Sequence, residues 1–178
     1  MEHTKELVNI AYIDATNLDK ALRNYSKWKL DYQKFRIWLS DKYSVQRAYI
    51  FIGLVSKYKD LYTYLQNCGF ELAFKDVIYQ NGIPKGNCDS DLLMMASEHM
   101  YEGDLNKAVI VASDGDYAPL VKKLIQKGKL ETILSPSPSA KCSILLKRTG
   151  APIAYIDPQR SILELTATST IFPPTTYK

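Results

Sequence analysis

Apolar residues recur along the chain in two rhythms, short runs of strand length and longer stretches of helical spacing, and the two alternate almost from end to end. Such alternation is what a parallel sheet covered by helices on both faces requires, because each strand is then buried on two sides and each helix on one. The pattern predicts strands over residues 8–13, 45–54, 70–79, 108–112, 131–134 and 152–156. Between them it predicts a helix beginning at Leu18, helices over 31–43, 57–68, 89–100, 117–126 and 142–147, and a short one ending at Leu165. Gly69 and Gly128 stand just past two of these helices, where a left-handed cap favours glycine. Residues 81–87, Asn-Gly-Ile-Pro-Lys-Gly-Asn, read as a turn-rich loop. The expectation is one α/β domain over 1–165, with a mostly parallel central sheet and a fraying Thr- and Pro-rich tail over 166–178.

Composition agrees with a single globular unit: 178 residues, 46% hydrophobic and 24% charged. A chain of that size buries about two-thirds of its unfolded surface and needs no metal or disulfide to fold, so any metal would serve chemistry. The longest apolar stretch, 48–55, is too short for a bilayer, and the first residues lack the layout of a signal peptide. Cys68, Cys88 and Cys142 are widely spaced and odd in number. Together these predict a cytoplasmic protein with no membrane partner. His3 and His99 are too few for a histidine site, and a net charge of +4 tolerates a polyanion without demonstrating one.

The acidic residues carry more information. In an open parallel sheet, ligands bind beyond the carboxyl ends of the strands. Asp14 directly follows the first predicted strand, Asp114 and Asp116 follow the strand over 108–112, and Asp89 opens a helix. A single Asp in such a place is ordinarily a helix cap. The run Ser113-Asp114-Gly115-Asp116 offers more oxygens than one cap uses. Two carboxylates about 4 Å apart repel by about 4 kcal/mol at an effective dielectric near 20, and a divalent cation relieves that. Oxygen ligands without His or Cys suit Mg²⁺ or Mn²⁺, as one or two ions, and such ions suit phosphodiester hydrolysis. Asn17 could orient Asp14 or a water, and Lys85 could meet a phosphate.

These residues also carry a resemblance. Tyr12-Ile13-Asp14-Ala15-Thr16-Asn17-Leu18 resembles the I-D-G-x-N-L/F opening of NYN domains, the LabA-like branch of the PIN-like ribonucleases. Lys85-Gly86-Asn87-Cys88-Asp89-Ser90-Asp91-Leu92 is similar to that family's K-G-x-V-D-x-x-L segment. Ala112-Ser113-Asp114-Gly115-Asp116-Tyr117-Ala118-Pro119-Leu120 is similar to its S-G-D-x-D-F-x-P-L segment, and Gly128-Lys129 follows. Ala15, Cys88 and the Ala112-Ser113 pair depart from the pattern, while every acidic position is kept. The resemblance implies a PIN-like, Rossmann-type fold and Mg²⁺- or Mn²⁺-dependent endoribonuclease chemistry at Asp14, Asp89, Asp114 and Asp116. It further implies a polar role for Asn17, supporting roles for Asp91 and Ser113, and room for a homodimer.

An RNA partner, single-stranded or with exposed loops, would be met by basic residues interleaved with aromatics: Arg23, Lys27 and Lys29 with Tyr25 and Trp28, and Lys57 and Lys59 around Tyr58. The same clusters would also suit solvated helix faces with their rings turned inward. A rival reading keeps the fold as a non-catalytic RNA- or protein-binding module. A phosphoaspartate phosphatase is disfavoured because Thr16 stands where a second acid is needed, and a dinucleotide-binding dehydrogenase because no G-x-G-x-x-G follows the first strand.

Overall fold

β1 (Val8–Asp14) is buried on both sides, and its side chains alternate between two cores: Ile10 and Tyr12 face one, Ala11 and Ile13 the other. The computed structural model describes residues 6–75, 78–81, 83–85 and 89–167, with the backbone alone at 78–80 and 83–85. Around β1 run α1 (Ala15–Ala21), α2 (Tyr32–Tyr43), β2 (Val45–Gly53), α3 (Lys59–Asn67) and β3 (Glu71–Lys75). A hairpin of β4 (Ile78–Gln80) and β5 (Ile83–Lys85) precedes α4 (Asp89–Glu102). The chain then continues through β6 (Leu105–Val111), α5 (Ala118–Gln126), β7 (Leu130–Ser135), α6 (Ile144–Lys147), β8 (Ile153–Tyr155) and α7 (Arg160–Leu163).

Six strands form one parallel sheet in the order β3-β2-β1-β6-β7-β8. Leu18, Phe35, Leu39, Tyr62, Leu65 and Leu163 bring α1, α2, α3 and α7 onto one face. Leu92, Ala96, Val121, Leu124 and Leu146 bring α4, α5 and α6 onto the other. This is the layered α/β architecture expected of a PIN-like fold. Among the described residues no helix is long and apolar enough to cross a membrane.

Three predicted elements are corrected. The strand expected over 70–79 ends at Lys75, where pairing with β2 stops, and Ile78–Gln80 leaves the main sheet to pair antiparallel with Ile83–Lys85. The stretch 81–87 is therefore not simply a loop: the Asn81-Gly82 pair, a composition favoured at hairpin turns, separates the two short strands, and Asn81 has the positive φ (55°) such turns demand. The first helix also begins earlier than Leu18, directly after Asp14, and it runs on into a π-helical turn over Leu22–Ser26.

On the α4 face, the hydroxyl of Tyr12 lies 2.8 Å from His99 Nδ1; the Tyr12 ring stacks on Tyr49, and the His99 ring lies tilted against it. Burial holds the His99 pKa below its ordinary value; Arg47 adds to this, while Asp104, Glu102 and Glu98 oppose it. The folded chain thus binds fewer protons here than the unfolded one, so stability from this ring is complete above about pH 6.5 and declines as the pH falls. Urea midpoints should decrease between about pH 7 and pH 5, and His99→Gln should flatten that decrease.

Candidate functional site

β1 and β6 are neighbours in the sheet, with Ile13 beside Val111, yet the chain leaves them toward opposite edges. Their carboxyl ends therefore flank the crevice where the strand order reverses, and Asp14 and the segment Ser113-Asp114 emerge there side by side.

Asp14 serves two purposes with two oxygens. Its Oδ1 accepts the Asn17 N–H at 2.9 Å and caps α1, as a strand-end Asp ordinarily does. Its Oδ2 lies 2.8 Å from the Tyr117 hydroxyl, and the same hydroxyl lies 2.8 Å from Oδ1 of Asp89, the first residue of α4. A phenol carries one proton and donates to one carboxylate at a time. Burial raises the pKa of Asp14, and the nearby Asp89 charge adds to the rise, against the lowering effect of the Asn17 and Tyr117 hydrogen bonds. Burial and the two acids likewise push the Tyr117 hydroxyl upward.

Asp114 and Asp116 are exposed on the adjoining 3₁₀ turn Gly115–Tyr117, where Asp114 Oδ1 lies 3.4 Å from the Asp116 N–H. Asn17 anchors that turn: its Oδ1 accepts both the N–H and the hydroxyl of Ser113 at 2.9 Å. Ser113 Oγ is 2.8 Å from Ser137 Oγ, and the Ser135 hydroxyl donates to the Ser137 carbonyl at 2.7 Å. These buried hydroxyls tie the ends of β1, β6 and β7 into one rigid edge. Gly115 is required by contact: a Cβ there would meet Ser143 Oγ at 2.6 Å and Leu145 Cδ1 at 3.0 Å.

The structure thus joins Asp14, Asp89, Asn17 and Ser113 into one hydrogen-bonded edge and sets Asp114 and Asp116 on the turn at its rim. Among the described residues, no three acidic, His or Cys side chains form a ready-made metal cage. The oxygen-only donor set nevertheless suits a hard cation of the Mg²⁺ kind, which is commonly held by one or two carboxylates and completes its shell with water and substrate phosphate. Asp91 is turned to Lys75, 3.8 Å from its ammonium. Of the basic candidates, Arg23 is ion-paired with Asp19. Lys57 lies over the Tyr58 ring at 4.9 Å and Lys59 opens α3, both past the carboxyl end of β2. Lys85 closes β5, and its side chain lies outside the described part, as does Cys88. Of the two readings of the aromatic clusters, the inward-turned one holds for two rings: Trp28 is buried and its indole N–H donates to Asp157 at 2.9 Å, and Tyr58 is buried as well, so neither ring offers a face to a base. Tyr25 stays half-exposed. Sequence reasoning missed Tyr117 and Ser137. The hydroxyl immediately after the acidic pair, at a place where the resembled motif has phenylalanine, was the available signal for the first.

The family model described as NYN domain matches residues 9–149. Among solved structures, the chain is similar to a protein of unknown function from Vibrio parahaemolyticus, at 22% identity and a TM-score of 0.69, covering 92% of this chain and 99% of that one. Comparison with curated proteins gives no match.

Proposed function

The chain belongs to the NYN domain family, a group of PIN-like, nuclease-type domains, and from that premise we propose that it is a metal-dependent endoribonuclease cutting RNA phosphodiester bonds with water. The observation that carries the reading is the pair Asp14 and Asp89, drawn from distant segments onto a single hydroxyl at the crevice of the sheet. Two carboxylates drawn to one hydroxyl place oxygen donors where a hard cation could bind.

Asp14 and Asp89 would hold Mg²⁺ or Mn²⁺, one ion or two, with Asp114 and Asp116 contributing from the rim. The ion would supply a more acidic water and neutralise charge on the phosphate. The chain's own residues do the remaining work. Tyr117 spaces the two acids, Asn17 and Ser113 fix the turn that carries Asp114, and the capped start of α1 keeps Asp14 from rotating away. Lys57 and Lys59 stand where they could meet a strand approaching past β2. Attack by water, with the sugar oxygen as leaving group, gives a 5′-phosphate and a 3′-hydroxyl.

A second reading, a non-catalytic RNA- or protein-binding module, is favoured by the absence of a ready-made three-residue cage among the described residues. Incubation of purified protein with generic and structured RNAs separates the two. Cutting is expected with Mn²⁺ or Mg²⁺ and none with chelator; RNA retention without cutting under every metal condition would select the second reading.

A further inference from the structure

Beside the acidic pair lies a separate polar cleft of about 360 Å³, within the size range of small-ligand pockets (roughly 300–1,000 Å³). It shares Asn17, Ser113 and Asp114 with the site and is otherwise lined by Lys20, Asn24 and Tyr25 on one wall and by Ser137, Lys141 and Ser143 on the other. Lys20 and Lys141 are exposed, and among the described residues neither is ion-paired, in contrast to Arg23. Asn24 and Tyr25 reach the cleft from the π-helical turn that follows α1. Such turns are rare and cluster at functional places.

Resting on the nuclease reading, we propose that this cleft seats one nucleotide of a single-stranded RNA beside the cut, its phosphate between Lys20 and Lys141 and its base on the ring of Tyr25. The chemistry of the walls selects that ligand. Two free ammonium groups match a phosphate, whereas serine and asparagine side chains suit sugar hydroxyls. A half-exposed phenol ring offers the sequence-tolerant platform that unpaired bases use. Asp114 at the shared boundary connects the cleft to the acids, so a strand can occupy both at once.

The test is binding of a fluorescent single-stranded RNA oligonucleotide in EDTA, by anisotropy over a range of salt. Hydrolysis is then silent, and failure of the nuclease reading leaves the test intact. Wild type should bind, and the Lys20→Ala/Lys141→Ala variant should bind more weakly with its salt slope flattened by about 1.4, some 0.7 for each phosphate-neutralising lysine. Tyr25→Ala should weaken binding by about 5- to 150-fold while Tyr25→Phe keeps it, as expected for loss of one stacked base. Lys42→Ala, at the opposite end of the sheet, should leave affinity and slope unchanged. A DNA oligonucleotide of the same sequence binding less well would assign the serine and asparagine side chains of the cleft to the 2′-hydroxyl. An unchanged salt slope in the double-lysine variant, or no binding by wild type, would overturn the proposal even if the protein cuts RNA. Binding that depends on both lysines would uphold it even if no cutting is found.

Discussion

Asp14→Asn should lower RNA cleavage by at least about 100-fold, the loss of several kcal/mol of charge stabilisation, and leave the protein at least as stable as wild type. The two halves of this result come from different oxygens. Asparagine caps a helix as well as aspartate does, so the bond from the Asn17 N–H that starts α1 survives. With its oxygen kept on that cap, the amide turns its NH₂ to Tyr117 and can donate to the phenol oxygen, while the hydroxyl donates to Asp89. What disappears is a buried negative charge facing Asp89. Because burial raises the folded-state pKa of Asp14 above its unfolded value, the ionised form opposes folding at neutral pH. That opposition shrinks once the pH falls below the folded-state value and is gone below the unfolded one. The stability advantage of the variant should therefore be widest near neutrality and close in acid, which thermal melts across pH would read directly. Asp14→Ala, by contrast, should lose the cap as well, at about 1 kcal/mol. Wild-type cutting by Asp14→Asn would remove the acid pair from the mechanism.

Gly115→Ala should cost about 1–3 kcal/mol, a fall in Tm of about 2–12 °C for a chain of this length, and should reduce cleavage beyond what the lost stability explains. The added methyl would lie 2.6 Å from Ser143 Oγ and 3.0 Å from Leu145 Cδ1, so something must give. Ser143 has little freedom: its Oγ accepts the Leu145 N–H at 3.2 Å to start α6, and its own N–H donates to the Ser113 carbonyl at 3.0 Å. Any shift of the turn to relieve the contact would carry Asp114 and Asp116 with it. Removing the obstacle tests this: in the Gly115→Ala/Ser143→Ala protein the two losses should sum to less than their separate values. Full additivity in urea unfolding would show that the clash is relieved elsewhere.

How much of this was legible beforehand follows from how local each cause is. β1 and β6 are buried on both faces and announce themselves as unbroken apolar runs, and the acids at their ends follow from position alone. The extent of β3 was not legible, because apolar residues continue past Lys75 while the pairing partner does not. The hairpin turn was visible in Asn81-Gly82 but was outweighed by the surrounding Gly and Pro. Burial of Trp28 depends on Asp157, far along the chain, and no periodicity reports such a partner. The Tyr117 bridge is of the same kind: the hydroxyl could be read, but its two neighbours are brought to it only by the order of the strands.

If the proposed nuclease reading holds, that bridge also sets when the site is completed during synthesis. Asp14 emerges early and Asp89 later, while the phenol that holds them together is made after both and belongs to a turn seated only when β6 has slipped in beside β1. A nascent or prematurely released polypeptide ending before that point carries the acids but has no means to align them. On that reading, a fragment still held by the ribosome would be unable to cut RNA.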